Sequence, residues 1–102
     1  MVAVENKQSL ITRLKVNSTK LKSFGVAKLG IFGSFVKDYP TPESDVDFLI
    51  EFVPHQKNYD NFMNLSFFLE ELLGRRVEIV TPQSLSKHIG PHILASAEYV
   101  AL

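Results

Sequence analysis

Apolar residues near the start of the chain recur at helical spacing, with lysines and arginines between them. These residues are Leu10, Ile11, Leu14, Leu21 and Phe24. A stripe of this kind is typical of an amphipathic helix that buries one face. It predicts a helix over about residues 6–23, ended by Gly25.

Three short apolar runs predict strands at residues 28–33, 45–52 and 75–80. The second run alternates most clearly, so its side chains should point to opposite faces of a sheet. On this prediction one face carries Val46, Phe48 and Ile50, and the other carries Asp45, Asp47, Leu49 and Glu51.

Two more helices are predicted in the second half of the chain. Asn58 can cap a helix that runs to Leu73 and stops at Gly74, with an apolar stripe of leucines and one phenylalanine. Pro91 opens a last helix to about residue 101, with Ile93, Leu94, Ala97 and Val100 as its inner face. The order αβαβαβα predicts an α/β fold, a single domain over residues 1–102 with a small mixed sheet flanked by helices.

Composition narrows the class of protein. The chain has 102 residues, 45% of them hydrophobic, with 11 basic and 11 acidic residues and no cysteine. Disulfide scaffolds and thiolate metal sites are excluded, and the charge balance argues against direct nucleic-acid binding. No apolar run is long enough for a membrane span or a signal peptide, so we expect no membrane partner and a cytoplasmic location.

The zero net charge conceals an uneven distribution. Residues 1–28 carry six basic side chains against one acid, which is most simply a solvated helix face. Residues 38–51 carry only acids: Asp38, Glu43, Asp45, Asp47 and Glu51. The acidic segment leads into the clearest predicted strand, and this position makes it a candidate functional site.

A Gly-Ser pair precedes the acidic segment. Gly33 ends the first predicted strand and permits a tight turn, because it has no Cβ. Ser34 then lies at the start of a short helical turn, where free N–H groups attract phosphate.

The two aspartates of the second strand project from one face, about 6–7 Å apart at Cα. Carboxylates at this spacing can bracket Mg²⁺, a hard cation that prefers oxygen ligands. Glu78, in the middle of the third strand, can face the same metal or act as a base. Glu51 lies about 13 Å beyond Asp47 and is peripheral. From the pattern alone, a glycine turn with an acidic strand cap remains an open alternative.

The stretches Leu29–Phe35, Pro42–Phe52 and Leu72–Pro82 resemble the minimal nucleotidyltransferase family of the DNA polymerase β-like superfamily. The family signature is Gly-Ser, a spacer, Asp-x-Asp and a third acid on a later strand. The resemblance covers nearly the whole chain and implies that family's fold.

The resemblance assigns roles to individual residues. It implies that Gly33 and Ser34 hold a nucleoside triphosphate, with Lys37 adding positive charge near the phosphates. It implies that Asp45, Asp47 and Glu78 are catalytic and bind Mg²⁺. Glu78 stands where the family usually has aspartate, and Val36-Lys37-Asp38 stands where it commonly has Ala-Arg-Gly.

The family also implies an activity and a partner. Many members are antitoxins of a HEPN-domain ribonuclease toxin, and some of these resemble enzymes that transfer AMP from ATP to a tyrosine of that toxin and so silence it. We therefore expect an adenylyltransferase that forms a hetero-oligomer with such a toxin. The alternative is an antitoxin with little or no catalytic activity that blocks the toxin by contact.

Arg75 and Arg76 open the third predicted strand. They could reach a phosphate or an acid of a partner. A solvated strand edge is the simpler interpretation, and it is the one we adopt from the sequence.

Overall fold

A computed structural model describes residues 2–37 and 40–102. The helices are α1 (Lys7–Val16), α2 (Ser18–Ser23), α3 (Tyr59–Leu73) and α4 (Gly90–Ser96), and the strands are β1 (Val26–Phe32), β2 (Val46–Phe52), β3 (Val77–Val80) and β4 (Glu98–Val100). Short 3₁₀ turns occupy Gly33–Phe35 and Pro82–Ser84. No helix in this part of the chain is long and apolar enough to cross a bilayer.

The strands form one mixed sheet in the order β3-β2-β1-β4. Strand β1 pairs antiparallel with both β2 and β4, whereas β2 and β3 are parallel. The parallel pairing requires a crossover, which α3 provides. The predicted α/β class with a small mixed sheet is therefore confirmed.

Helices α1, α2 and α3 pack against one face of the sheet. The buried core joins Leu10, Leu14 and Leu21 of the first two helices, Leu65, Leu69, Leu72 and Leu73 of α3, Leu29 and Ile31 of β1, and Val46, Phe48 and Ile50 of β2. Because side chains alternate along a strand, Asp47 and the residues paired with it point to the opposite face. The core thus fixes which face carries the acids.

The helix predicted over residues 6–23 is interrupted at Asn17. The Asn17 side chain donates a hydrogen bond to the carbonyl of Arg13, and its own N–H closes α1 on Leu14. Short polar side chains compete with helical backbone in this way. The continuous helix was wrong, although both pieces still bury their predicted leucines.

The last helix was also predicted too long. It ends at Ser96, and residues 98–100 form β4 on the free edge of β1, with Val100 paired to Leu29 and Tyr99 to Gly30. Tyrosine and valine favour strands, and the backbone pairing offered by β1 outweighs a further turn of helix. Leu94, assigned to an inner helix face, is half exposed. The predicted order αβαβαβα therefore omitted β4.

Helix α3 matches its prediction most closely. The Asn58 side chain accepts the N–H of Asn61 as an N-cap. Gly74 ends the helix in the left-handed region, with φ 65°. Strand β3 begins at Val77 and not at Arg75, so both arginines precede it, although the carbonyl of Arg76 still accepts the N–H of Val46 of β2 (3.0 Å).

Candidate functional site

The Gly33 turn lies directly against the carboxylate of Asp47. Gly33 follows the last residue of β1 and has φ +76°, a conformation that side-chain-bearing residues rarely adopt. A Cβ at this position would lie 2.2 Å from Oδ2 of Asp47. Glycine is therefore required here for two reasons: it permits the turn, and it permits the close approach of a carboxylate.

Strand pairing brings Glu78 to the other side of Asp47. In the register of the sheet, Asp47 is opposite Phe32 of β1 and opposite Glu78 of β3. Residues paired in this way point to the same face. The Glu78 side chain is exposed, and that of Asp47 is half-buried. The predicted proximity of these two acids follows from the parallel pairing of β2 and β3.

Asp45 immediately precedes β2 and is exposed. Its charge acts on Asp47, as does that of Glu78. None of the three carboxylates forms an ion pair with a described residue. The result is a patch of unneutralised negative charge beside the glycine turn.

Burial and repulsion raise the pKa of Asp47 from 3.8 to about 6. Loss of solvation is the largest cause, followed by the charge of Glu78 and then that of Asp45. A cation would relieve both causes, because it replaces the lost solvation and offsets the repulsion. The carboxylate oxygens are also the donors that Mg²⁺ prefers, so the donor set fits this ion.

As they stand, the side chains do not form a closed metal cage. Across residues 2–37 and 40–102, no three Asp, Glu or His side chains converge closely enough to hold an ion. The site is two paired acids with a third at its border. Bound Mg²⁺ typically keeps several waters and takes one or two carboxylates, which suits such an open arrangement.

Ser34 and Lys37 follow Gly33 along the chain, and neither forms a hydrogen bond or ion pair with the three acids. Ser34 is the middle residue of the 3₁₀ turn and is partly buried, and the Lys37 side chain is exposed. The N–H of Lys37 donates to the carbonyl of Gly33 (3.3 Å), which extends the turn. The structure thus brings Gly33, Asp47 and Glu78 together, with Ser34 next to Gly33 in the chain and Lys37 two residues beyond the 3₁₀ turn. Asp38 lies outside the described residues.

The surroundings of Glu51 agree with what the sequence predicted, and those of Arg75 do not. Glu51 lies toward the other end of β2, where it accepts a hydrogen bond from the hydroxyl of Tyr99 (3.4 Å), in keeping with a peripheral position. Arg75 is not a solvated strand edge. Its guanidinium group is partly buried and binds backbone carbonyls of two other segments. Nothing in its local sequence signals these distant acceptors.

The raised pKa of Asp47 leads to a prediction for the metal-free protein. A carboxyl whose pKa is higher in the folded state stabilises the fold below pH 3.8, and this stability is lost as the pH rises through about 6. The shift corresponds to about 3 kcal/mol unscreened, which we reduce to about 1 kcal/mol because Asp47 is half exposed. We therefore expect Asp47→Asn to stabilise the protein by about that amount at pH 8, with no gain at pH 3.5.

Urea unfolding in the presence of a chelator measures this difference. Glu43→Gln is the matched control, since Glu43 is an exposed acid of the neighbouring loop. It should leave stability unchanged at both pH values. An Asp47→Asn variant less stable than the wild type at pH 8 would contradict the electrostatic account of the site.

With the fold and the site described, the chain can be compared with known proteins. The family model for the nucleotidyltransferase domain matches residues 13–100. Protein adenylyltransferase MntA of Thermococcus cleftensis is 35% identical over 102 residues, which cover 98% of this chain and 98% of that protein.

Two solved structures share the fold. A minimal nucleotidyltransferase matches with a TM-score of 0.79 and 26% identity, over 91% of this chain and 94% of that chain. A complex of a tri-AMPylated Shewanella oneidensis HEPN toxin with its MNT antitoxin matches with a TM-score of 0.64. This second match has 15% identity over 93% of this chain and 71% of that chain, so it shows the fold alone.

Proposed function

The chain belongs to the nucleotidyltransferase domain family, and from that premise we propose that it is a Mg²⁺-dependent enzyme that transfers AMP from ATP to a hydroxyl group of a partner protein. The observation that carries the proposal is the contact between the Gly33 turn and Asp47, with Glu78 paired alongside. The turn proposed to bind phosphates therefore lies next to the acids proposed to bind a cation. A similar protein bears the name protein adenylyltransferase.

The turn is the proposed binding site for the triphosphate. The first N–H groups of a helical turn have no partners within the turn, so they can donate to phosphate oxygens. The hydroxyl of Ser34 adds a donor, and the exposed ammonium group of Lys37 adds charge at the rim. These groups would hold the triphosphate beside the carboxylates.

Asp45, Asp47 and Glu78 are the proposed Mg²⁺ ligands. When bound, Mg²⁺ neutralises phosphate charge and lowers the barrier for the displacement. The acceptor oxygen attacks the α-phosphorus and forms a new P–O bond, while the bond to pyrophosphate breaks. Glu78 is exposed and can take the proton that the acceptor hydroxyl releases. Positioning and charge compensation by these residues account for the rate.

The proposed acceptor is a tyrosine of a HEPN-domain ribonuclease toxin, and the chain would then act as its antitoxin. Support comes from a complex of the same fold in which a HEPN toxin is AMPylated. The exposed acids leave one side of the site open, and a partner side chain could enter there. We propose that the pair works in the cytoplasm, where a ribonuclease toxin meets cellular RNA.

Label transfer tests the reaction type. With Mg²⁺ present, ATP labelled at the α-phosphate should label the HEPN protein, whereas ATP labelled at the γ-phosphate should not. A chelator should abolish the signal, because the acids then repel the triphosphate. Label from the γ-phosphate would indicate a kinase. A silenced toxin that carries no label would indicate an antitoxin that blocks by contact.

A further inference from the structure

The Arg75 side chain binds backbone carbonyls of two segments that are distant from it along the chain. Arg75 follows the glycine that ends α3 and precedes β3, so its backbone is outside the site. Its Nε donates to the carbonyl of Val4 (2.6 Å), and Nη1 donates to the carbonyls of Thr41 and Ser44 (both 2.8 Å). One side chain thus ties the N-terminal segment to the residues that lead directly into Asp45.

The segment held by Arg75 is a compact turn. The N–H of Ser44 donates to the carbonyl of Thr41 (3.0 Å), and the N–H of Thr41 donates to Oγ of Ser44 (2.8 Å). Arg75 binds the carbonyls at both ends of this turn. Since Asp45 is the next residue, the turn sets where the Asp45 carboxylate starts from the strand.

The same guanidinium group also contacts the Gly-Ser turn. Its central carbon lies 5.0 Å from the centre of the Phe35 ring. Phe35 is completely buried and is the last residue of the 3₁₀ turn that contains Gly33 and Ser34. A cation held over this ring restrains the turn to which Phe35 belongs.

We propose that Arg75 is a positioning residue, which holds the Gly33–Phe35 turn and the Asp45 carboxylate in the relative arrangement needed for nucleotide transfer. This inference rests on the proposed function of the site. Arg75 does not touch the reacting groups, and it acts through the turns that carry them. Displacement of catalytic groups by about 1 Å can cost about 100-fold in rate.

Arginine suits this position better than lysine. Its planar group donates in several fixed directions and stacks on an aromatic ring at the same time. A lysine ammonium group is a point charge that cannot reach Val4, the Thr41–Ser44 turn and Phe35 together. Arg75→Lys should therefore restore only part of what Arg75→Ala loses.

The chain offers a matched control in Arg13. Its Nη1 also donates to two backbone carbonyls, those of Val2 (2.5 Å) and Leu72 (2.9 Å). Arg13 therefore anchors the same N-terminal segment, but it does not contact the Thr41–Ser44 turn or Phe35. Arg13→Ala should lower stability as Arg75→Ala does, without disturbing the site. Arg76→Ala, at an exposed neighbour, controls for loss of charge.

Two readouts on folded protein test the proposal. In hydrogen exchange, Arg75→Ala should speed exchange of the hydrogen-bonded amides within residues 41–46, those of Thr41, Ser44 and Val46, by at least about 10-fold, because two of the anchoring hydrogen bonds are lost. In AMP transfer at saturating ATP, Mg²⁺ and HEPN protein, kcat should fall by about 100-fold, with Arg75→Lys intermediate. Arg13→Ala should change neither quantity by more than about twofold.

The outcomes separate positioning from general stabilisation. Equal losses of kcat in Arg75→Ala and Arg13→Ala would overturn the proposal, as would unchanged exchange at residues 41–46. If Arg75→Ala does not fold, Arg75→Lys is compared with Arg13→Lys on the same readouts. A wild type that transfers no AMP would refute the proposed function, and the exchange result would still decide whether Arg75 holds the turn.

Discussion

Replacement of Asp45 and Asp47 together by asparagine should abolish AMP transfer while the protein stays folded. Asparagine keeps the shape of both side chains and removes the two charges proposed to bind Mg²⁺. Removal of a single electrostatic contact to a transition state commonly costs 100–1,000-fold. We therefore expect a fall in kcat of at least about 1,000-fold for the pair.

The reason for this large effect lies in the arrangement of the acids. Asp47 sits between the Gly33 turn and Glu78. Its pKa is raised first by burial and then by the charges of Glu78 and Asp45. Without the charge of Asp47, no group at the centre of the site can bring a cation to the triphosphate. Glu78 alone would remain, exposed and on the edge strand.

Glu51→Gln is the matched control for this experiment. Glu51 lies on the same strand and the same face, and its contact is with Tyr99 at the other end. Its replacement should change transfer by no more than about twofold. Initial rates of label incorporation, together with the affinity of each variant for the HEPN protein, give both quantities. Transfer that persists in the double variant would place the catalytic acids elsewhere.

Gly33→Ala is the second substitution with a large expected effect. Alanine at φ +76° costs about 1–2 kcal/mol in backbone strain. The new Cβ would also overlap Oδ2 of Asp47, at 2.2 Å, so the carboxylate must move. We expect a loss of about 1–2 kcal/mol in stability and a fall of about 100-fold in AMP transfer.

Gly25→Ala separates strain from damage to the site. Gly25 has φ +86°, and a Cβ there would lie 2.5 Å from Cβ of Gln56. It precedes β1, whereas Gly33 follows it, so the two glycines lie at opposite ends of that strand. Both alanine variants should unfold at lower urea concentration, and only Gly33→Ala should lose transfer when folded. Equal activity in the two variants would show that the Gly33 turn does not contribute to the site.

The parts of the fold that the sequence predicted are those set by local signals. Helix α3 has a side-chain cap at Asn58 and a left-handed glycine at its end, and both are visible in the sequence. The alternation in β2 placed Val46, Phe48 and Ile50 in the core and thereby put Asp47 on the opposite face. The pairing of Asp47 with Glu78 required that β2 and β3 be parallel neighbours in the observed register, because a shift of one residue would turn Glu78 to the other face.

The features that were missed depend on contacts between distant segments. Strand β4 forms because β1 has a free edge, and residues 98–100 alone are equally consistent with a helix. Arg75 binds carbonyls 31 and 34 residues away along the chain. Every residue has a backbone carbonyl, so the sequence does not indicate which of them will accept. The break between α1 and α2 occurs at Asn17, where the side chain donates a hydrogen bond to the carbonyl of Arg13.

We propose that this chain modifies a HEPN toxin with AMP and that Asp45 and Asp47 are required for the transfer. The intact mass of the toxin, measured after incubation with ATP, Mg²⁺ and either the wild-type chain or the Asp45→Asn/Asp47→Asn variant, tests it most directly. We expect the toxin to gain the mass of one or more AMP groups with the wild type and none with the variant. A toxin of unchanged mass that the wild type nevertheless silences would contradict the account.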